Sequence, residues 1–124
     1  MAILLVGIGG FFGAIARYLV DTWVTDRIGA TFPWGTLMVN LSGAFILGLL
    51  FALSIERGVL PPGIRAPIFV GFIGAYTTFS TLALESWRLI EQGSYALGIA
   101  NLAGSVALGL VAVVAGLLLG RALA

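Results

Sequence analysis

Apolar residues run along this chain in four long blocks, and polar residues gather between the blocks rather than alternating within them. Blocks at about 3–20, 35–55, 66–90 and 95–119 each reach the roughly 20 residues that carry a helix across a bilayer core. The first is expected to stop near Asp21, Asp26 and Arg27, and the second at Glu56 and Arg57. Gly29 to Trp34 reads as a loop whose Pro33 suits the start of the next helix, and Pro61-Pro62-Gly63 cannot continue one. The pattern predicts a single all-α domain, residues 1–124, of four membrane-crossing helices with both termini on one side. The N-terminal block lacks a basic region and a small-residue cleavage site, so it is expected to be retained as a span.

Within the blocks, small residues recur at every fourth position: Gly9 and Gly13 leading to Arg17, Ala44 and Gly48, then Ala112, Gly116 and Gly120. In lipid that spacing lets helix backbones approach closely, so these are packing seams. The glycines of the first block do not complete a nucleotide-binding fingerprint, because Phe12 takes the last required position and no strand precedes them. Asn40-Leu41-Ser42 matches a glycosylation acceptor only by chance, since it falls inside a span.

The third block is the exception to apolar monotony. Gly71 and Gly74 lead into Tyr76-Thr77-Thr78-Phe79-Ser80-Thr81, whose centre near residue 78 should lie close to the bilayer midplane. Glycine followed by β-branched hydroxyl residues weakens a helix, so either the helix breaks at Gly74 to Thr77, the favoured reading, or the hydroxyls bond back to carbonyls of their own unbroken helix. Broken helices at that depth are tolerated where they line a cavity or bind an ion. Asn40, some way into the second block, is costly in hydrocarbon unless paired. It is either interhelical glue or an N–H donor to an anion. Asn101 and Ser105 lie four apart on one face of the fourth block and extend a polar stripe. Arg17, near the expected end of the first helix, either snorkels to the interface or concentrates anions at a vestibule.

Composition narrows the chemistry. Of 124 residues 60% are hydrophobic and 9% charged, against about 25% charged in soluble domains. The mean hydropathy is +1.15. Cysteine and histidine are absent, which removes thiol, disulfide, zinc and imidazole chemistry, and no enzyme is expected. A net charge of +1 offers nucleic acid no basic face. Arg57, Arg65 and Arg121 fall on the terminal side, and Arg17, Arg27 and Arg88 on or near the other. Three against three gives the positive-inside rule no grip. Two topologies stay open: insertion both ways, with opposed copies pairing about an axis in the membrane plane, or a single orientation set by unequal weight on Arg17 and Arg88.

Gly9-Gly10-Phe11-Phe12-Gly13-Ala14-Ile15-Ala16-Arg17-Tyr18, Gly35-Thr36-Leu37-Met38-Val39-Asn40-Leu41-Ser42-Gly43, Thr77-Thr78-Phe79-Ser80-Thr81 with Glu85, and, more loosely, Asn101-Leu102-Ala103-Gly104-Ser105 appear in order along the chain. Together they resemble the CrcB or Fluc family of fluoride channels. The resemblance implies an antiparallel, dual-topology homodimer in a bacterial-type inner membrane, with two pores, exporting fluoride passively. It implies a structural sodium ion on the dimer axis, held by backbone carbonyls of Gly74 and Thr77. It makes Asn40 a pore amide and Phe79 a ring whose electropositive edge faces the ion, with Ser80, Thr81, Asn101 and Ser105 along the path. Many members carry a second aromatic where this chain has Leu82.

Two other readings fit the length and charge balance. A small multidrug exporter of dual topology needs a carboxylate inside the first helix, where none is expected. A non-transporting membrane subunit accounts for the packing seams and leaves the polar centre of the third helix unmotivated.

Overall fold

The computed structural model describes residues 1–123. Helix α1 spans Ala2–Ile28. Helix α2 spans Trp34–Phe51 and continues into a wider, π-type turn over Ala52–Glu56. After a 3₁₀ turn at Pro62–Ile64, helix α3 occupies residues 65–76, π-wound over Pro67–Ile73. Helix α4 spans Phe79–Glu91 and α5 spans Tyr95–Leu123. No strand occurs among the described residues. Four stretches, with α3 and α4 together making the third, are long and apolar enough to cross a membrane, and that third stretch is the least apolar.

Helix α1 does not stop at Asp21. It runs through Asp21, Asp26 and Arg27 to Ile28, because charged side chains are compatible with helical backbone wherever they can reach water or a partner. Gly29 ends it with φ 103°, returning its N–H to the Thr25 carbonyl at 2.8 Å. The longer helix moves Arg17 from the expected helix end to the middle of the span. It also places Asp21 inside the helix, against Gly35 in the first turn of α2.

Two tight pairs organise the bundle. α1 lies along α3, where a Cβ on Gly9 would strike the Pro67 carbonyl and one on Gly13 the Phe72 carbonyl. α2 lies along α5, where Gly48 meets the Val113 carbonyl and Gly116 the Phe45 carbonyl. Backbone touches backbone in both seams, as small residues at every fourth position predict. At the terminal end an ion pair closes α2 onto α5: Arg121 donates to both oxygens of Glu56 at 2.9 Å, and Arg57 Nη2 donates to the Arg121 carbonyl.

α3 and α4 do not form one continuous helix. Gly74 is helical (φ −62°, ψ −36°), and the break falls after it, at Thr77 (ψ 157°) and Thr78 (φ −147°, ψ 116°). Extended backbone suits β-branched threonine better than helix does, so two adjacent threonines and not the glycine carry the interruption.

Candidate functional site

A break in lipid strips backbone groups of their helical partners, and each must find another. Here α1 and α2 supply several of them and pack the side chains between. Arg17 Nε donates to the Ala75 carbonyl at 3.2 Å, capping the C-terminal end of α3 where a cation is favoured. The Tyr76 hydroxyl shares a hydrogen bond with Ser42 Oγ at 2.9 Å. Thr77 packs its methyl against Gly43, where a Cβ has no room. Asn40 grips Thr78 at both ends: its Nδ2 donates to the Thr78 carbonyl at 3.0 Å, and its Oδ1 accepts from the Thr78 N–H at 2.8 Å. Residues 40–43 of α2 thus hold 76–78 in register, and the sequence motif Asn40-Leu41-Ser42-Gly43 reads as the mould of the break.

Beyond the break, Thr78 caps α4 by accepting from the Thr81 N–H at 3.2 Å. Its hydroxyl also donates to Thr81 Oγ1 at 3.0 Å and lies 3.4 Å from Ser80 Oγ. Phe79 opens α4 with its ring 78% exposed, although it sits at mid-span. Asn40, Thr77, Thr78, Phe79, Leu82 and Ser105 line one groove of 310 Å³. Ser105 is buried there, and its hydroxyl lacks a partner among the described residues. The groove therefore joins an amide, hydroxyls, an aromatic ring and the N-terminal end of α4, whose dipole favours negative charge.

The expected residues do not all meet. Asn40, Phe79 and Ser105 share the groove, with Ser80 and Thr81 in the adjoining first turn of α4. Asn101 lies outside this groove, 2% exposed, beside Ser105 in a second cavity of 210 Å³, with its Nδ2 donating to Ser86 Oγ at 2.8 Å. Arg17 lies across the break, on the α3 side. Gly74 and Thr77, whose carbonyls the resemblance assigns to sodium, lie just before the break and at it. Helical continuation would bring the Thr78 N–H to Gly74 and the Thr81 N–H to Thr77, but those donors go to Asn40 and Thr78 Oγ1. Neither oxygen receives the donor that a continuous helix would bring to it, and uncharged oxygens suit a hard monovalent cation. No cluster of side-chain metal ligands exists among the described residues.

The sequence reading missed Ser42, Tyr76 and Ser86. Ser42 and Tyr76 sit within motifs already singled out, two residues from Asn40 and Thr78. Ser86 is a small hydroxyl buried between Leu82 and Leu89 on the inner face of α4, and a polar residue at that register was visible.

A polytopic helical subunit whose third span breaks at mid-depth beside a polar groove is the architecture of a channel or transporter, in which irregular backbone serves an ion. Residues 4–117 match the family described as CrcB-like protein, Camphor Resistance (CrcB). Among similar proteins, one from Magnetococcus marinus named fluoride-specific ion channel FluC is 46% identical over 121 residues, covering 98% of each chain. Proteins of the same name from Hahella chejuensis and Solibacter usitatus are 48% and 46% identical, covering 94% and 98% of this chain and 91% and 99% of their own lengths. The chain belongs to the CrcB family.

Proposed function

We propose that this protein is a fluoride-selective passive channel, not an enzyme, that lets fluoride leave the cell and so relieves its toxicity. The single observation that carries the reading is the groove at the break. Fluoride is small and strongly hydrated, so a path must replace its water with close donors, as carbonyls do for potassium. The groove offers the Ser105 hydroxyl, the second N–H of the Asn40 amide and the Phe79 ring, whose electropositive edge would face the ion, and Ser80 and Thr81 carry hydroxyls in the adjoining first turn of α4. Arg17, held at mid-span, provides the positive potential that draws an anion inward. The names of the relatives, matched over nearly their whole length, support fluoride over the multidrug alternative. Asp21 does lie within α1, but it packs against the start of α2 rather than into this groove.

The working unit in this proposal is an antiparallel homodimer in a bacterial inner membrane. With Arg17 at mid-span, Arg57, Arg65 and Arg121 on one side face only Arg27 and Arg88 on the other, and three against two remains a weak orientation bias. Gly74 and Thr77 carbonyls from two opposed copies would hold a structural sodium ion, which would join the subunits at the break. The test is efflux of fluoride from liposomes containing the purified protein, with chloride as comparison. Fluoride efflux without chloride efflux is the expected result, and a membrane that retains its fluoride overturns the proposal.

A further inference from the structure

Helix α4 begins at the break, so its first residue, Phe79, takes its position from the hold of Asn40 on Thr78 and from whatever fixes the rest of the half-helix. α4 packs chiefly on α5. The closest approach is at Gly98, where an added Cβ would meet the Ser86 carbonyl at 2.8 Å and Ile90 Cγ1 at 2.7 Å. That contact sets the distance between the helices but leaves α4 free to turn or slide. Asn40 pins Thr78 at the head of α4, and farther along the helix a polar tie to α5 restrains those motions. Ser86 Oγ donates to the Leu82 carbonyl one turn back at 2.7 Å, and Asn101 Nδ2 donates to Ser86 Oγ at 2.8 Å. Ser86 is 0% and Asn101 2% exposed, so no water competes for either bond.

We infer that Ser86 and Asn101 act as one positioning device, which sets the azimuth and height of α4 and thereby aligns Phe79 with Ser105 across the groove. Phe79 and Ser86 are seven residues apart, which leaves them about 20° from the same stripe of the helix. A rotation of α4 therefore carries both together. On α5, Asn101 and Ser105 are one turn apart on one face, so the tie references Phe79 to Ser105. This assigns Asn101 a role through Ser86 in place of contact with the ion.

The inference relies on the channel reading only for its flux measurement, and a second measurement is independent of transport. In the full-length protein, the flux test compares Ser86→Ala, Asn101→Ala and the double variant in liposome efflux. Loss of one buried hydrogen bond shifts the population of an aligned conformer by up to about tenfold. Each single variant should lower fluoride efflux by up to that factor, and the double variant should be no worse than either. A double loss equal to the product of the single losses, or full efflux in Ser86→Ala, overturns the inference. For the second measurement, 4-fluorophenylalanine is placed at position 79 and its fluorine resonance recorded. One line in the parent should become two or more lines, or one shifted line, in Ser86→Ala protein that keeps its helical content. An unchanged line shows that Phe79 does not depend on the tie and overturns the inference, whether or not the protein conducts fluoride.

Discussion

Asn40 and Thr78 lie 38 residues apart in sequence and pair as two strands would, amide to peptide, with both hydrogen bonds made. A carboxamide is the smallest side chain that offers a donor and an acceptor in one plane. It replaces for Thr78 the helical partners that the break removes. Asn40 is therefore builder of the site and candidate ligand at once, since one of its two N–H groups remains available.

That dual role predicts how substitutions separate. Asn40→Asp keeps the acceptor for the Thr78 N–H but sets a carboxylate against the Thr78 carbonyl. We expect loss of most fluoride flux and a stability cost of about 1–3 kcal/mol from the unsatisfied carbonyl. Efflux and thermal unfolding of the same preparation measure the two effects. Full flux in a stably folded Asn40→Asp protein would sink both roles.

Phe79 should behave differently, because 78% of its surface is free of the subunit. Phe79→Ile should leave subunit stability within about 0.5 kcal/mol, as substitutions outside packed sites do, while flux falls. Leu82 borders the same groove, so Leu82→Phe has space to extend into and should fold. Its fluoride flux should equal or exceed that of the parent. Unchanged flux in Phe79→Ile would remove the ring from the mechanism.

Glycines of two kinds distinguish the subunit fold from assembly. A Cβ on Gly13 collides with the Phe72 carbonyl, so Gly13→Val should cost about 1–3 kcal/mol or more and reduce the yield of folded protein. A Cβ on Gly74 meets nothing closer than the Phe69 carbonyl at 3.6 Å, an ordinary contact, and its helical φ needs no glycine. The turn that Gly74 was expected to provide is made by Thr77 and Thr78 instead. Gly74→Val should therefore leave the subunit folded and, if two copies meet there, dissociate them. Crosslinking in lipid together with helical content reads both. A Gly74→Val protein that still dimerises places the contact elsewhere.

Orientation can be tested without transport. A reporter of cytoplasmic or external location fused to the C-terminus should give both signals, since the arginines are nearly balanced. Two lysines added between Pro61 and Arg65 should bias insertion toward one signal and lower activity where this is the sole gene expressed. A single clean orientation in the unmodified protein rules out dual topology.

The four spans, the glycine seams and the existence of a polar interruption in the third span follow from the sequence alone. Each depends on local composition: lipid demands runs of apolar residues, close helices demand small ones, and polar groups at mid-depth demand a reason. The end of α1 is not legible on the same local footing, because charges at Asp21 and Arg27 look like a stop when their surroundings are unknown. What only the tertiary structure decided is which backbone groups the break frees and what satisfies them. Gly74 looks like the weak point, yet the break falls at Thr77 and Thr78, because Asn40, Ser42 and Gly43 wait there with matching partners. Arg17 gained its place at Ala75, and Asn101 its bond to Ser86, in the same way. A helix preference is a property of neighbours in sequence. The partner that makes a broken helix affordable lies on another helix, and its position is set only when the helices pack.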